Sequence, residues 1–76
     1  MARILITGSA DGLGYAAAQL LIEEGHEVVL HVRSLNRKSA VADLAPRAAG
    51  VVIGDLRDAS EIRSIADQVN AIGRMG

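Results

Sequence analysis

Thr7-Gly8-Ser9-Ala10-Asp11-Gly12-Leu13-Gly14 follows directly on a short apolar run and leads into a stretch of helical periodicity. Those surroundings constrain the chain more than the glycines do, because glycines by themselves also make ordinary turns. Arg3 to Thr7 reads Arg-Ile-Leu-Ile-Thr and stops at Gly8, the pattern of a strand buried on both faces. From Leu13 the period changes, and Leu13, Ala16, Ala17, Leu20 and Leu21 fall on one face of a helix. Gly25 follows Glu24 where a left-handed C-terminal cap is wanted. Between strand and helix, Gly8 lets the chain turn sharply, Gly12 leaves room for a diphosphate, and Gly14 lets the helix pack closely on the sheet. Free backbone N–H groups and the helix dipole then point at an anion. Without a ligand the same residues make a tight strand-to-helix turn.

The rest of the chain repeats the alternation. Glu27 to Val32 reads as a second strand with Val28, Val29 and Leu30 at its centre. Ser34 or Asn36 can cap a short helix carrying Ala40, Val41 and Leu44, which Pro46 ends. Val51-Val52-Ile53, between Gly50 and Gly54, is a third strand. Asp58 with Glu61 three residues later resembles a capping box. The helix it opens carries Ile62, Ile65, Ala66, Val69 and Ile72 on one face and stops at Gly73. No low-complexity stretch, linker or second domain is visible. The order β-α-β-α-β-α predicts a three-stranded parallel sheet in the order 3-2-1 with right-handed crossovers. The first two helices are expected on one face and the third on the other.

Composition narrows the function classes. The formal net charge is −1, Lys38 is the one lysine and the arginines are scattered, which excludes a nucleic-acid footprint and a polybasic membrane patch. No apolar run approaches the roughly 18 residues that span a bilayer. Cysteine is absent, removing disulfides, thiolate catalysis and Cys-based zinc sites, and a cytoplasmic location is the expectation. Tyr15 is the single aromatic residue, so the core must come from Ala, Leu, Ile and Val. His31 reads as a packed or edge residue of the second strand rather than a ligand, and His26 as a turn residue. No metal site is expected.

The spacing Thr-Gly-x-x-x-Gly-x-Gly resembles that of the classical short-chain dehydrogenase/reductase family. Asp55-Leu56, just after the third strand, look like the family's pair beside the adenine ring. Arg33 looks like the basic residue that follows the second strand in NADP-preferring members. The resemblance covers all 76 residues but only the first third of a typical family chain. It implies an α/β, Rossmann-like half domain over residues 1–76, the NAD(P)-binding part of an oxidoreductase. Its cofactor-binding residues would be Gly8, Ser9, Gly12, Leu13, Gly14, Arg33, Ser34, Asp55 and Leu56. A carboxylate at the end of the second strand would accept hydrogen bonds from the adenosine ribose and repel a 2′-phosphate. Val32 stands there instead, followed by Arg33 and Ser34, which can grip a phosphate. NADP(H) is therefore expected over NAD(H). Asp11 cuts the other way, because its position is often basic in NADP-preferring relatives.

The family's chemistry also needs a Tyr-x-x-x-Lys pair, and four residues after Tyr15 stands Gln19. No catalytic residue is assigned, and the chain alone is expected to be inactive. Three readings stay open: the amino-terminal piece of an NADP-dependent oxidoreductase, a non-catalytic nucleotide-binding module, or a self-associating remnant. The expected fourth strand would begin after Arg74-Met75-Gly76, and without it Ile4, Leu5 and Ile6 would form an unprotected edge. A homodimer or larger homo-oligomer, through that edge or the third helix, is the corresponding expectation.

Overall fold

A computed structural model of the chain describes residues 3–73. Three strands, β1 (Arg3–Ile6), β2 (Glu27–Val32) and β3 (Gly50–Ile53), form a parallel sheet in the order β1-β2-β3. Ile4 pairs with Val28 and Leu30 with Val51, so β2 is hydrogen-bonded along both edges. A central parallel strand must be apolar on both faces. Val28, Val29, Leu30 and Val32 are each fully buried, and Glu27 at the open end pairs with Arg3 across the register.

The two-residue period of β2 divides the core into two layers. Val28, Leu30 and Val32 point to one side, where they meet Ala18, Val41 and Leu44. Val29 points to the other and packs with Val52 and Ile65. Helix α1 (Gly12–Glu23) covers the first layer and helix α2 (Ala59–Ile72) the second. Helices on both faces of a parallel sheet leave the carboxyl ends of the strands, and the loops leaving them, along one rim.

Four expectations need correction. The second helix is not α-helical: residues 35–47 form two 3-10 segments, Leu35–Val41 and Ala45–Arg47. Val41 and Leu44 still bury, but three residues apart they need only a 3-10 turn. Pro46 lies inside the second segment instead of ending a helix, and it has no N–H with which to carry an α-helix through this stretch.

The apolar face assigned to α1 is also rotated. Leu13 is 90% exposed and Leu20 58%, whereas Ala18 is buried and Tyr15, Leu21 and Ile22 pack beneath it. The helix is apolar nearly all round, so periodicity alone does not select a face. Its orientation is set where Gly14 meets the loop. A Cβ at Gly14 would stand 2.2 Å from the Gly8 carbonyl oxygen.

On α2 the stripe holds at Ile65, Val69 and Ile72, while Ala66 and Ile62 lie toward solvent. Gln68 turns inward in their place. Its amide accepts from Ile53 N–H at 2.9 Å and donates to Ile53 C=O at 2.8 Å, closing part of the free edge of β3. The capping box is only half formed. Asp58 accepts from the N–H groups of Ser60 and Glu61, but the Glu61 carboxylate reaches past it to Asp55 N–H at 3.0 Å. Arg74 to Gly76, ahead of the expected fourth strand, lie outside the described residues.

The two glycines of the α1 start should therefore respond differently. Gly14→Ala forces a methyl group into backbone and should cost about 1–3 kcal/mol. A Cβ at Gly12 meets nothing within 4 Å, and Gly12→Ala should stay within about 1 kcal/mol of the parent. Urea unfolding followed by circular dichroism distinguishes the two.

Candidate functional site

The rim at the carboxyl ends of the strands gathers the polar residues. Gly8, directly after β1 and Thr7, sits at φ +66°, a left-handed conformation costly for any side chain. That turn is closed by Asp11 N–H donating to Gly8 C=O at 3.0 Å. The next bond, Tyr15 N–H to Asp11 C=O at 2.7 Å, starts α1. Asp11 occupies the N-cap position, yet its side chain makes no capping hydrogen bond. Its carboxylate instead pairs with Arg37 at 3.3 Å. The first three N–H groups of the helix, on Gly12, Leu13 and Gly14, are thus left without a partner among the described residues. Helix starts of this kind attract anions, because the orphan donors and the helix dipole act together.

Two depressions flank this start. A recess of about 60 Å³ is lined by Gly8, Ala10, Asp11, Val32, Arg33 and Arg37. An open groove of about 330 Å³ runs past Thr7, Gly8, Asp11, His31, Arg33, Asp55, Leu56 and Arg57. Of the residues expected from sequence, Gly8, Arg33, Asp55 and Leu56 come together in the groove. Arg33 lines both depressions and makes no ion pair among the described residues. Ser34 stands beside it and accepts Arg37 N–H on its carbonyl, leaving its hydroxyl out of the cap. Ser9 lies beneath the loop, fully buried, with its hydroxyl turned inward to Ile6 C=O.

Asp55 is the most strongly perturbed carboxylate. Hydrogen bonds from the Arg57 side chain, then from Arg57 N–H, hold its pKa down at about 2, and the charges of Arg57 and Arg33 act in the same direction. The Arg57 guanidinium reaches both carboxylate oxygens, at 3.2 and 3.0 Å. At neutral pH Asp55 is therefore ionised and acts only as an acceptor. Tyr15, far from being free for proton transfer, donates to Asp43, and that hydrogen bond raises its pKa.

Sequence reasoning missed Arg37 and Arg57 and gave His31 no role at the rim. Arg37 carried no local signal, because the 3-10 segment that brings it to the recess is not marked in the sequence. Arg57 followed the Asp55-Leu56 pair by one residue. His31 was marked by being the one polar residue inside β2. Among the described residues no group of His, Asp or Glu could hold a metal ion, and no helix is long and apolar enough to cross a membrane.

A family model for short chain dehydrogenases matches residues 2–75. The chain is 55% identical over 73 residues to the short-chain dehydrogenase chry4 of Gibberella zeae, covering 96% of this chain and 28% of that protein. It is 51% identical over 73 residues to the short-chain dehydrogenase chyC of Penicillium rubens, with the same coverage. Among solved structures, one assigned as a betaketoacyl-ACP reductase superposes with a TM-score of 0.76 at 33% identity, covering 90% of this chain and 28% of that one. The chain thus spans a little over a quarter of the length of these relatives.

The Asp55–Arg57 pair gives a pH signature. A carboxylate whose folded pKa is depressed stabilises the fold above its ordinary value of 3.8 and loses that contribution as pH falls toward about 2. In Arg57→Ala the Asp55 titration, followed by carboxyl carbon NMR, should move up toward 3.8. The acid loss of stability across that window should then be shallower than in the parent.

Proposed function

The chain belongs to the short-chain dehydrogenase family, and from that premise we propose that it binds the adenosine and phosphate groups of NADP(H) as the amino-terminal part of an oxidoreductase. The observation that carries this reading is the uncapped start of α1, with three partnerless N–H groups beside a recess bordered by two arginines. The residues present suit such a ligand. A Cβ at Gly12 would stand in open space, so the glycine there answers to no neighbour within the chain. Arg33 has no carboxylate partner to lose on meeting a phosphate.

Asp11, which in the sequence spoke against NADP(H), is neutralised by Arg37. The pair leaves two guanidinium groups and one carboxylate around the recess, a net positive charge in a chain of net −1. Arg33 and Arg37 can offer charge-assisted hydrogen bonds to a 2′-phosphate, with Ser34 contributing its hydroxyl. The ionised Asp55 offers an acceptor to the exocyclic amine of adenine, beside the apolar surface of Leu56. When bound, the nicotinamide supplies or accepts the hydride of the family's reaction. This stretch supplies binding and orientation of the other half of the cofactor, and Tyr15, committed to Asp43, supplies no acid or base. The reading leaves the carbonyl or alcohol substrate to residues outside these 76.

Calorimetric titration tests it. The chain should bind NADPH more tightly than NADH. Arg33→Asp should abolish the difference, and Arg37→Ala should shrink it by about ten-fold, since it removes a charged donor and frees Asp11. Equal affinity for both cofactors in the parent would refute the assignment of Arg33 and Arg37.

A further inference from the structure

His31 is 3% exposed, and every hydrogen-bonding group it owns is committed at the rim. Gly8 N–H donates to its Nδ1 at 3.0 Å, and its Nε2 lies 2.7 Å from the Gly54 carbonyl oxygen. A backbone N–H can only donate and a carbonyl can only accept. The two contacts together therefore require the neutral ring with its proton on Nε2. The main chain of the same residue holds the next position of the loop. Ser9 N–H donates to His31 C=O at 2.8 Å, and His31 N–H donates to Ser9 Oγ at 3.0 Å. Ser9 Oγ in turn donates to Ile6 C=O at 2.7 Å.

These bonds converge on the one residue of the loop in a left-handed conformation. Gly8 C=O receives Asp11 N–H, and Asp11 C=O receives Tyr15 N–H, so the orientation of the Gly8 peptide passes directly to the start of α1. An apolar residue at position 31 would fill the core equally well but would strand a donor on Gly8 and an acceptor on Gly54. We propose that His31 is a positioning residue for the anion-binding loop: its neutral ring accepts from Gly8 N–H and so aims the free N–H groups of Gly12, Leu13 and Gly14. It touches no part of the ligand itself. The consequence for cofactor affinity rests on the NADP(H) reading above, whereas the ring state and the Gly8 contact do not.

Two substitutions separate positioning from simple core filling. His31→Asn keeps an acceptor near the Nδ1 position and gives up the reach to Gly54. His31→Gln keeps a donor near the Nε2 position and gives up the acceptor for Gly8. NMR of the 15N-labelled 76-residue chain reads the ring and the loop without any ligand. In the parent, Nδ1 should be unprotonated, Nε2 protonated, and the Gly8 amide slow to exchange. That amide should exchange about ten-fold faster in His31→Gln and stay within about three-fold of the parent in His31→Asn. NADPH affinity should follow the same order. A parent ring protonated on Nδ1, or a folded His31→Gln with an unchanged Gly8 amide, would overturn the proposal, as would equal loss of affinity in both variants. If either variant fails to fold, the parent ring spectrum still decides. A parent that shows the ring and amide signature but binds no NADPH would support the positioning role and refute the cofactor reading.

Discussion

The three strand ends meet around one imidazole. β1 arrives through Gly8, β2 contributes His31 itself, and β3 arrives through Gly54. In a parallel sheet the last backbone groups of each strand point past their neighbours' ends, where no ladder partner remains. His31 and Ser9 absorb those groups between them, and no buried side-chain polar atom among the described residues is left without a partner. The loop that leaves β1 is thereby tied to the sheet before it starts α1. Its shape is a property of the sheet's rim and not of the loop alone.

Two close approaches transmit that order to the helices. Gly14 brings α1 against the Gly8 carbonyl, and Gly54 brings α2 close enough that an added Cβ would meet Ile65 at 2.7 Å. Both glycines stand at the rim formed by the carboxyl ends of the strands. At the opposite end Gly50 brings α2 equally close, a Cβ there meeting Ile72 at 2.7 Å, and the ion pair Arg3–Glu27 adds a partly exposed tie of small energetic weight.

Much of this was legible in the sequence because it depends on short-range rules. The three strands are apolar runs bounded by glycine or polar residues, and Gly8, Gly14 and Gly25 mark positions that only glycine serves well. The grouping of Arg33, Asp55 and Leu56 followed from strand ends sharing one rim. What sequence did not disclose depends on tertiary choices. The rotation of α1 was hidden because Leu13, Ala16, Ala17 and Leu20 are as apolar as the residues that bury. The 3-10 segments arise from two core contacts and Pro46 rather than from any local helical signal. The roles of His31 and Arg37 depend on partners 23 and 26 residues away, whereas Arg57 holds Asp55 only two residues before it, a local pairing the Asp55-Leu56 motif does not mark. Gln68 reads as a solvent-facing helical residue until it is seen bonded to Ile53.

Charge at the rim follows the same logic. The chain as a whole is slightly acidic, yet Arg33, Arg37 and Arg57 converge on one face with Asp11 and Asp55 as their counterweights. On the reading proposed here, this face, anchored through His31, offers a preformed site for the phosphates of an adenine dinucleotide. The decisive measurement is amide and arginine-side-chain shift mapping during titration with adenosine 2′,5′-bisphosphate. The largest changes should fall at Gly12, Leu13, Gly14, Arg33 and Arg37, with little at Ala45–Arg47. Changes absent from the α1 start, or spread evenly over the surface arginines, would contradict it.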